Sequence, residues 1–356
     1  MGPYNLSIRF AMQTSNTTQN VFPKIAILGM GAITLSIARA LFLNKVPYFV
    51  LTRDAKRKSE LLANPLWYRY SSGPKEQISF EGIVSTLEET KDNFDYIILG
   101  AKSANLEDSI RKSIPLLSKG GRFVLIQNGL PEEIVSISAN QILGGVVGWN
   151  TQKLPDGVYF QSNAGALILG GADETTPEPF WKQALEPYIT VILSSNLKGF
   201  RWHKLGINSV INGLSASCQL TLGELFFKKS GRSAAIRVLT EVRNVMEKIG
   251  IKEEVVPGSV SVGKLGDGKG ALPFLLRHII LFAIGIKYYR IRTSMVQDLD
   301  AGRKTEIDEL NGQIVAKSKT LGIGTPVNDA IVKKIKSLEE EKEKPAILFL
   351  KELVRL

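Results

Sequence analysis

Lys204, Asn208 and Asn212 recur at four-residue intervals in the stretch RWHKLGINSVINGL, residues 201–214. In a helix each lies about 40° round from the last, so all three share one polar face. Leu205, Ile207, Val210, Ile211 and Leu214 make the rest of the segment apolar. Two carboxamides and an ammonium held on such a segment are groups that bind a polar ligand. A lysine ammonium in hydrogen-bond reach of such a ligand can also hand it a proton.

A second set of residues points to a phosphate-bearing ligand. KIAIL (24–28) reads as a buried strand entering Gly29, Met30, Gly31 and Ala32, after which ITLSIARALFLNK continues as a helix. Glycines between strand and helix let the backbone approach a pyrophosphate, whose charge then sits at the helix N-terminus. Thr34 stands where a third glycine completes that pattern, so the helix has to pack with a branched side chain there. At the end of the next strand, an acidic residue suits the ribose hydroxyls of NAD and a basic one the 2′-phosphate of NADP. Arg53 occupies that place, with Lys56 and Arg57 close behind, and NADP is the expected cofactor. Asp54 is the residue that argues for NAD. Two later strand ends, Lys102 in GAKS and Asn128 in QNGL, face the same crevice; a surface lysine and an ordinary turn pair are the alternative readings. In RTSMVQDLDAGRKTEIDELNG (292–312), Ser294 begins a short helical stretch and Gly302 interrupts it. Thr305 and Asp308 then resemble a capping box that places Glu306 in the first turn of the next helix, where a carboxylate suits the dipole. A merely well-capped helix is the plain alternative.

The elements that must position these groups alternate. PYFVLTR (47–53), FDYIILGAK (94–102) and RFVLIQNG (122–129) read as further buried strands, with helical patterns at 54–63 and 103–118, which implies a parallel sheet with right-handed crossovers. Short β runs at 142–195 close the sheet or add antiparallel strands. From about residue 199 helical periodicities take over. The expected architecture is an α/β, Rossmann-like NADP-binding domain at 22–195 and an all-helical substrate and catalytic domain at 196–356, preceded by a polar extension at 1–21 expected to be disordered.

Composition excludes several classes. A chain of 356 residues with 44% hydrophobic and 22% charged residues is globular. Its single cysteine, Cys218, rules out an internal disulfide framework and, with two histidines, leaves no zinc motif. The net charge of +11 is dispersed, without an arginine-rich arm or RNP-like aromatics, so no nucleic-acid partner is expected. ALPFLLRHIILFAIGIKYY (271–289) is broken by Arg277 and His278 and is too short to span a membrane; it reads as a buried helix, in the core or in a dimer interface. His203 and His278 read as packing or surface residues and Cys218 as a small buried thiol. Residues 1–21 lack the apolar core of a secretory signal, and a cytoplasmic location is expected.

Taken together and in order from about residue 24 to 335, these segments resemble the ketopantoate reductase (2-dehydropantoate 2-reductase) family. The resemblance rests on GMGA, GAKS, QNGL, the run Trp202, Lys204, Leu205, Asn208, Asn212, and the blocks around Ser294, Asp298, Arg303 and Glu306. INGLSA departs from the proline-containing continuation that is more common there. The resemblance implies Lys204 as catalytic acid, Glu306 as a second catalytic or substrate-orienting carboxylate that also lies by the cofactor, and Asn208, Asn212 and Ser294 as substrate ligands. Asn128 and Lys102 then lie beside cofactor and substrate, with Gly29, Met30, Gly31, Ala32 and Arg53 holding NADPH. It further implies reduction of an α-keto acid, ketopantoate, in pantothenate biosynthesis, and a possible homodimer. Two alternatives are a related reductase of the opine or 6-phosphogluconate type, and a non-catalytic dinucleotide-binding sensor.

Overall fold

Four consecutive buried residues, Ile25–Leu28, form the central strand of the molecule; no polar residue alternates with them because both faces of the sheet are covered. The computed structural model describes residues 22–64, 66–78, 84–86, 88–90 and 92–356, so the expected extension at 1–21 lies outside the described residues. The eight-stranded sheet runs, edge to edge, Thr190–Leu193, Ala166–Gly171, Ile142–Val147, Leu117–Leu125, Phe94–Leu99, Ile25–Leu28, Tyr48–Thr52 and Val84–Thr86. Pairing is parallel from Ile142–Val147 to Val84–Thr86, and Ala166–Gly171 joins antiparallel. From Ile25–Leu28 the chain moves outward through Tyr48–Thr52 to Val84–Thr86, then returns to Phe94–Leu99 on the other side. That reversal leaves a crevice beyond the carboxyl ends of Ile25–Leu28 and Phe94–Leu99.

A four-stranded sheet, Lys75–Ile78, Leu66–Tyr70, Tyr159–Gln161 and Thr151–Lys153, lies outside this pattern and was not expected from the sequence. Its strands are three to five residues long with few buried positions, so no sustained apolar run marks them.

After the last strand, Thr190–Leu193, the chain is helical. The long helix Lys229–Lys248 buries Ala234, Ala235, Val238, Leu239 and Val242 at its centre. Its buried Glu241 accepts from the backbone amides of Val327 and Asn328 at 2.8 and 2.9 Å, placing a carboxylate at the N-terminus of the helix Pro326–Glu339. Cys218 is a free, buried thiol.

Two expectations are corrected here. Of the two places expected for the helix Phe274–Lys287, the core of the chain is ruled out: Leu275, Ile279 and Ile286 are 70%, 53% and 58% exposed. Its buried face is Arg277, His278, Leu281 and Gly285, so the two residues that interrupt the apolar run are the ones facing inward. They do so because partners wait for them: Arg277 donates to Asp267 at 2.6 Å and to the Leu265 carbonyl at 3.2 Å, and His278 accepts from Arg232. Second, residues 201–214 are not one α-helix. The α-helix Leu197–Asn208 continues as a π-helical turn, Ser209–Leu214. A second π-turn, Asp308–Gly312, packs against the first, with Asn311 donating to the Ser209 carbonyl at 3.3 Å and lying against Gly213. Wide turns of this kind recur at functional sites.

Candidate active site

The glycine turn is built by close approach of two strand ends. The Gly29 amide donates to the Leu51 carbonyl at 3.1 Å and the Gly100 amide to the Leu28 carbonyl at 2.9 Å, which brings the two glycines into contact. Gly29 has φ 89°, a conformation glycine adopts without strain. A Cβ on Gly100 would run into the Gly29 carbonyl oxygen. Thr34 is accommodated because Gly100 has no side chain: its methyl lies 2.9 Å from where that Cβ would be. Its hydroxyl accepts from the Gly31 amide at 2.8 Å and donates to the Gly29 carbonyl at 2.9 Å, so the residue that breaks the glycine pattern ties the turn together.

Gly29, Met30, Gly31 and Gly100 line a cleft of about 410 Å³ whose far side is Thr52, Arg53, Asp54, Lys56 and Arg57. Ala32 begins the helix Ala32–Leu43 behind the turn. Asp54 is committed elsewhere: its carboxylate accepts from the Arg57 amide at 2.7 Å and caps the helix Ala55–Ala63. Arg57 pairs with Glu60 at 3.0 Å. Arg53 and Lys56 are exposed and hold no ion pair among the described residues. A glycine turn at a helix start beside exposed cations fits the phosphates of a dinucleotide. Lys102, two residues beyond Gly100, is exposed and precedes the single turn Ser103–Asn105.

On the helical side Lys204 is half-buried, and its ammonium donates to the Val147 carbonyl, at the end of Ile142–Val147, at 2.7 Å. Burial first, and then the Arg201 charge, push its pKa down to about 7, against the opposing pull of Glu306. Glu306 accepts from the Asn128 side chain at 3.1 Å, across the two halves of the chain. Beside Asn128, Gly129 has φ 76° and abuts the Glu309 carbonyl, and the Leu130 amide donates to Gln313 at 2.7 Å. Asn208 is buried without a side-chain hydrogen bond among the described residues, and Asn212 accepts a long, 3.4 Å bond from Ser294 at the start of the helix Ser294–Asp300. Lys204, Glu306 and Asn128 are thus one group, and Asn212 with Ser294 another. The cleft over Arg53 is lined by neither.

The expected capping box at Thr305 does not form. Glu339 accepts from the Thr305 amide at 2.8 Å, Asp308 pairs with Lys336 at 2.7 Å, and Glu306 precedes the π-turn instead of sitting in a helical first turn. Asp298 and Arg303 pair with each other at 2.7 Å, closing the turn at Gly302, whose φ is 63°. Sequence reasoning also passed over Arg201, Glu132 and Gln127, which stand behind the site. Arg201, a cation three residues before Lys204 in an apolar segment, was the available signal.

The fold and the site together define a two-part protein of Rossmann-like type, an α/β half carrying a glycine turn and a helical half carrying the lysine. The profile of "Ketopantoate reductase PanE/ApbA" matches residues 25–174 and that of "Ketopantoate reductase PanE/ApbA C terminal" residues 196–339. The chain belongs to the ketopantoate reductase family. Among its relatives, the 2-dehydropantoate 2-reductase of Aquifex aeolicus is 25% identical over 284 residues, covering 75% of this chain and 86% of that protein. The 2-dehydropantoate 2-reductase of Pyrobaculum aerophilum is 30% identical over 149 residues, a match spanning 42% of this chain and 46% of the relative, less than half its length. A D-mandelate dehydrogenase solved with NADH and anilino(oxo)acetate shares the fold, with a TM-score of 0.70 at 20% identity over 89% of this chain and 99% of that one.

Proposed function

We propose that this protein is an NADPH-dependent reductase of ketopantoate, forming pantoate for pantothenate synthesis. The observation that carries the reading is Lys204: a half-buried ammonium with its pKa down at about 7, between the glycine-turn half and Glu306. An acid with its pKa near working pH is suited to protonating an alkoxide. The reduced nicotinamide supplies the hydride when bound. Lys204 holds the ketone oxygen and gives up its proton, Glu306 with Asn128 orients the substrate beside it, and Asn208, Asn212 and Ser294 take the carboxylate and hydroxyl. Gly29, Met30, Gly31 and Ala32 offer backbone to the pyrophosphate, and Lys102 lies at the same strand-end rim. The structural neighbour that binds NADH and an oxoacetate supports a second reading, a reductase of another 2-keto acid. NADPH oxidation with ketopantoate, ketoisovalerate and benzoylformate separates the two: ketopantoate as the best substrate by kcat/KM is expected, and benzoylformate as the best overturns the first reading.

Cofactor choice rests on Arg53 and Lys56, which face the cleft while Asp54 caps a helix. NADPH is expected to bind about tenfold or more tighter than NADH, a difference of roughly 1.4 kcal/mol. Arg53→Ala removes most of that preference in a fluorescence titration; equal affinities in the unmodified protein rule out the assignment.

Self-association through the helix Phe274–Lys287 belongs to the same proposal. Its exposed side chains and those of Phe227, Tyr289 and Ile291 beside it present on the order of 1,000 Å² of apolar surface, taking about half of the 150–250 Å² an aromatic offers. That exceeds the roughly 300–600 Å² of a typical monomer's largest patch and matches the ~800 Å² each partner contributes to a stable interface. Sedimentation is expected at twice the chain mass, falling to the chain mass in Leu275→Asp/Ile279→Asp; an unmodified protein already at the chain mass counts against the dimer.

A further inference from the structure

Arg201 is 3% exposed, on the α-helix Leu197–Asn208 one turn before Lys204. Its guanidinium donates to the carbonyls of Gln127 at 2.7 Å and Leu125 at 2.8 Å, and through Nε to Glu132 at 3.1 Å, with Nη2 reaching the same carboxylate oxygen. Those two carbonyls belong to the strand end that delivers Asn128. Gln127 continues the chain of contacts, its side-chain amide donating to the carbonyls of Leu99 and Ala101 at 2.7 and 2.9 Å, which fixes the loop leading to Lys102. Glu132 in turn fits only because Gly144 has no side chain: a Cβ there would meet its carboxylate. Gly144 lies on Ile142–Val147, the strand whose last carbonyl accepts from Lys204.

We propose that Arg201 is a positioning residue of this site: with Glu132 as counter-ion, it locks the Lys204 helix to the loop carrying Asn128 and sets a fixed positive charge beside the Lys204 ammonium. The inference rests on the reading of Lys204 as proton donor. A fan of four hydrogen bonds from one buried planar cation is a rigid fixture; it ties the Lys204 helix to the segment 125–132 and, through the Gln127 side chain, to the loop after Leu99. The charged groups acting on Lys204 are Arg201 on its own helix and Glu306 across the interface, with Glu132 paired to Arg201; His203 turns to Glu253 at 2.8 Å instead. Arg201 therefore disfavours the charged lysine and Glu132 offsets it, so removing each moves Lys204 in opposite directions.

The test follows Lys204 itself, in the whole free protein, by NMR of ε-¹³C-labelled lysine, with the resonance assigned by its absence in Lys204→Arg. Arg201→Gln is expected to raise the Lys204 midpoint by roughly one pH unit, Glu132→Gln to lower it by a similar amount, and Arg201→Lys to restore it. Should Arg201→Gln fail to fold, the downward shift in Glu132→Gln carries the test alone. Midpoints that stay at the unmodified value in the folded variants, or shifts of the same sign in both, overturn the proposal and leave Arg201 a structural residue. Midpoints that move as expected in a protein that reduces none of the keto acids uphold the fixture and reject Lys204 as the proton donor.

Discussion

Replacing Lys204 with alanine is expected to lower kcat by about 10²–10⁴, the usual cost of losing a general acid, while NADPH affinity is expected to stay near its unmodified value. The split is expected because the cleft over Arg53 is lined without Lys204. In the unmodified protein kcat/KM is expected to fall as pH rises through about 7, where the lysine would lose its proton, and a pH–rate profile checks this. The same burial has a cost in stability, with a definite sign. The folded pKa lies below the ordinary 10.5, so the fold penalises the charged form; the penalty is complete below about pH 7, shrinks as pH rises, and is gone above 10.5. Lys204→Met is accordingly expected to melt higher than the unmodified protein at neutral pH, with the gap closing towards pH 10. A Lys204→Ala variant with near-normal kcat, or one that fails mainly by losing NADPH or by melting lower, places the lysine in the structure and not in the chemistry.

Gly100→Ala is expected to be a severely damaging one-carbon change at the glycine turn. Its Cβ meets backbone, the Gly29 carbonyl, and the Thr34 methyl behind it, so no flexible side chain can yield. Overpacking costs typically about 1–3 kcal/mol and more where backbone must move. Here the backbone that moves is the glycine turn, so NADPH affinity should fall at least about tenfold together with the melting temperature. Calorimetry and a cofactor titration on the same preparation check this; an alanine variant with unchanged melting and affinity refutes the close approach of the two strand ends.

The α/β half was legible because its strands are apolar on both faces. KIAIL, YFVLT and YIIL carry no other reading once a glycine turn follows the first, and Arg53 identifies itself by following the second. The small sheet built by Leu66–Tyr70 and its neighbours was not legible, since strands of three to five residues with few buried positions leave no sustained apolar run to find. The face shared by Lys204, Asn208 and Asn212 was read from a 3.6-residue period, yet the second half of that stretch is a π-turn; both geometries keep residues four apart on one side, so spacing alone does not distinguish them. Helix Phe274–Lys287 misled for another reason. Hydropathy assigns the inside to its leucines and isoleucines, but Asp267 and the Leu265 carbonyl supply bonds that let Arg277 take that place. Glu306 was found in its block but given the wrong local setting, because Glu339, thirty-odd residues away, performs the capping that Asp308 was expected to do.

The hydroxyl of Thr34 has an effect on how a dinucleotide would be held. By accepting from the Gly31 amide it uses up one of the backbone donors that a glycine turn ordinarily offers to an anion. Fewer fixed dipoles then share the load with mobile side-chain charges on the far wall, Arg53 and Lys56, which are exposed. Attraction by exposed charges weakens over a Debye length of about 8 Å at physiological ionic strength, whereas donation from a buried amide hardly responds to salt. Cofactor affinity is therefore expected to fall more steeply with ionic strength here than in a variant with glycine at position 34, where the Gly31 amide is free of the Thr34 hydroxyl.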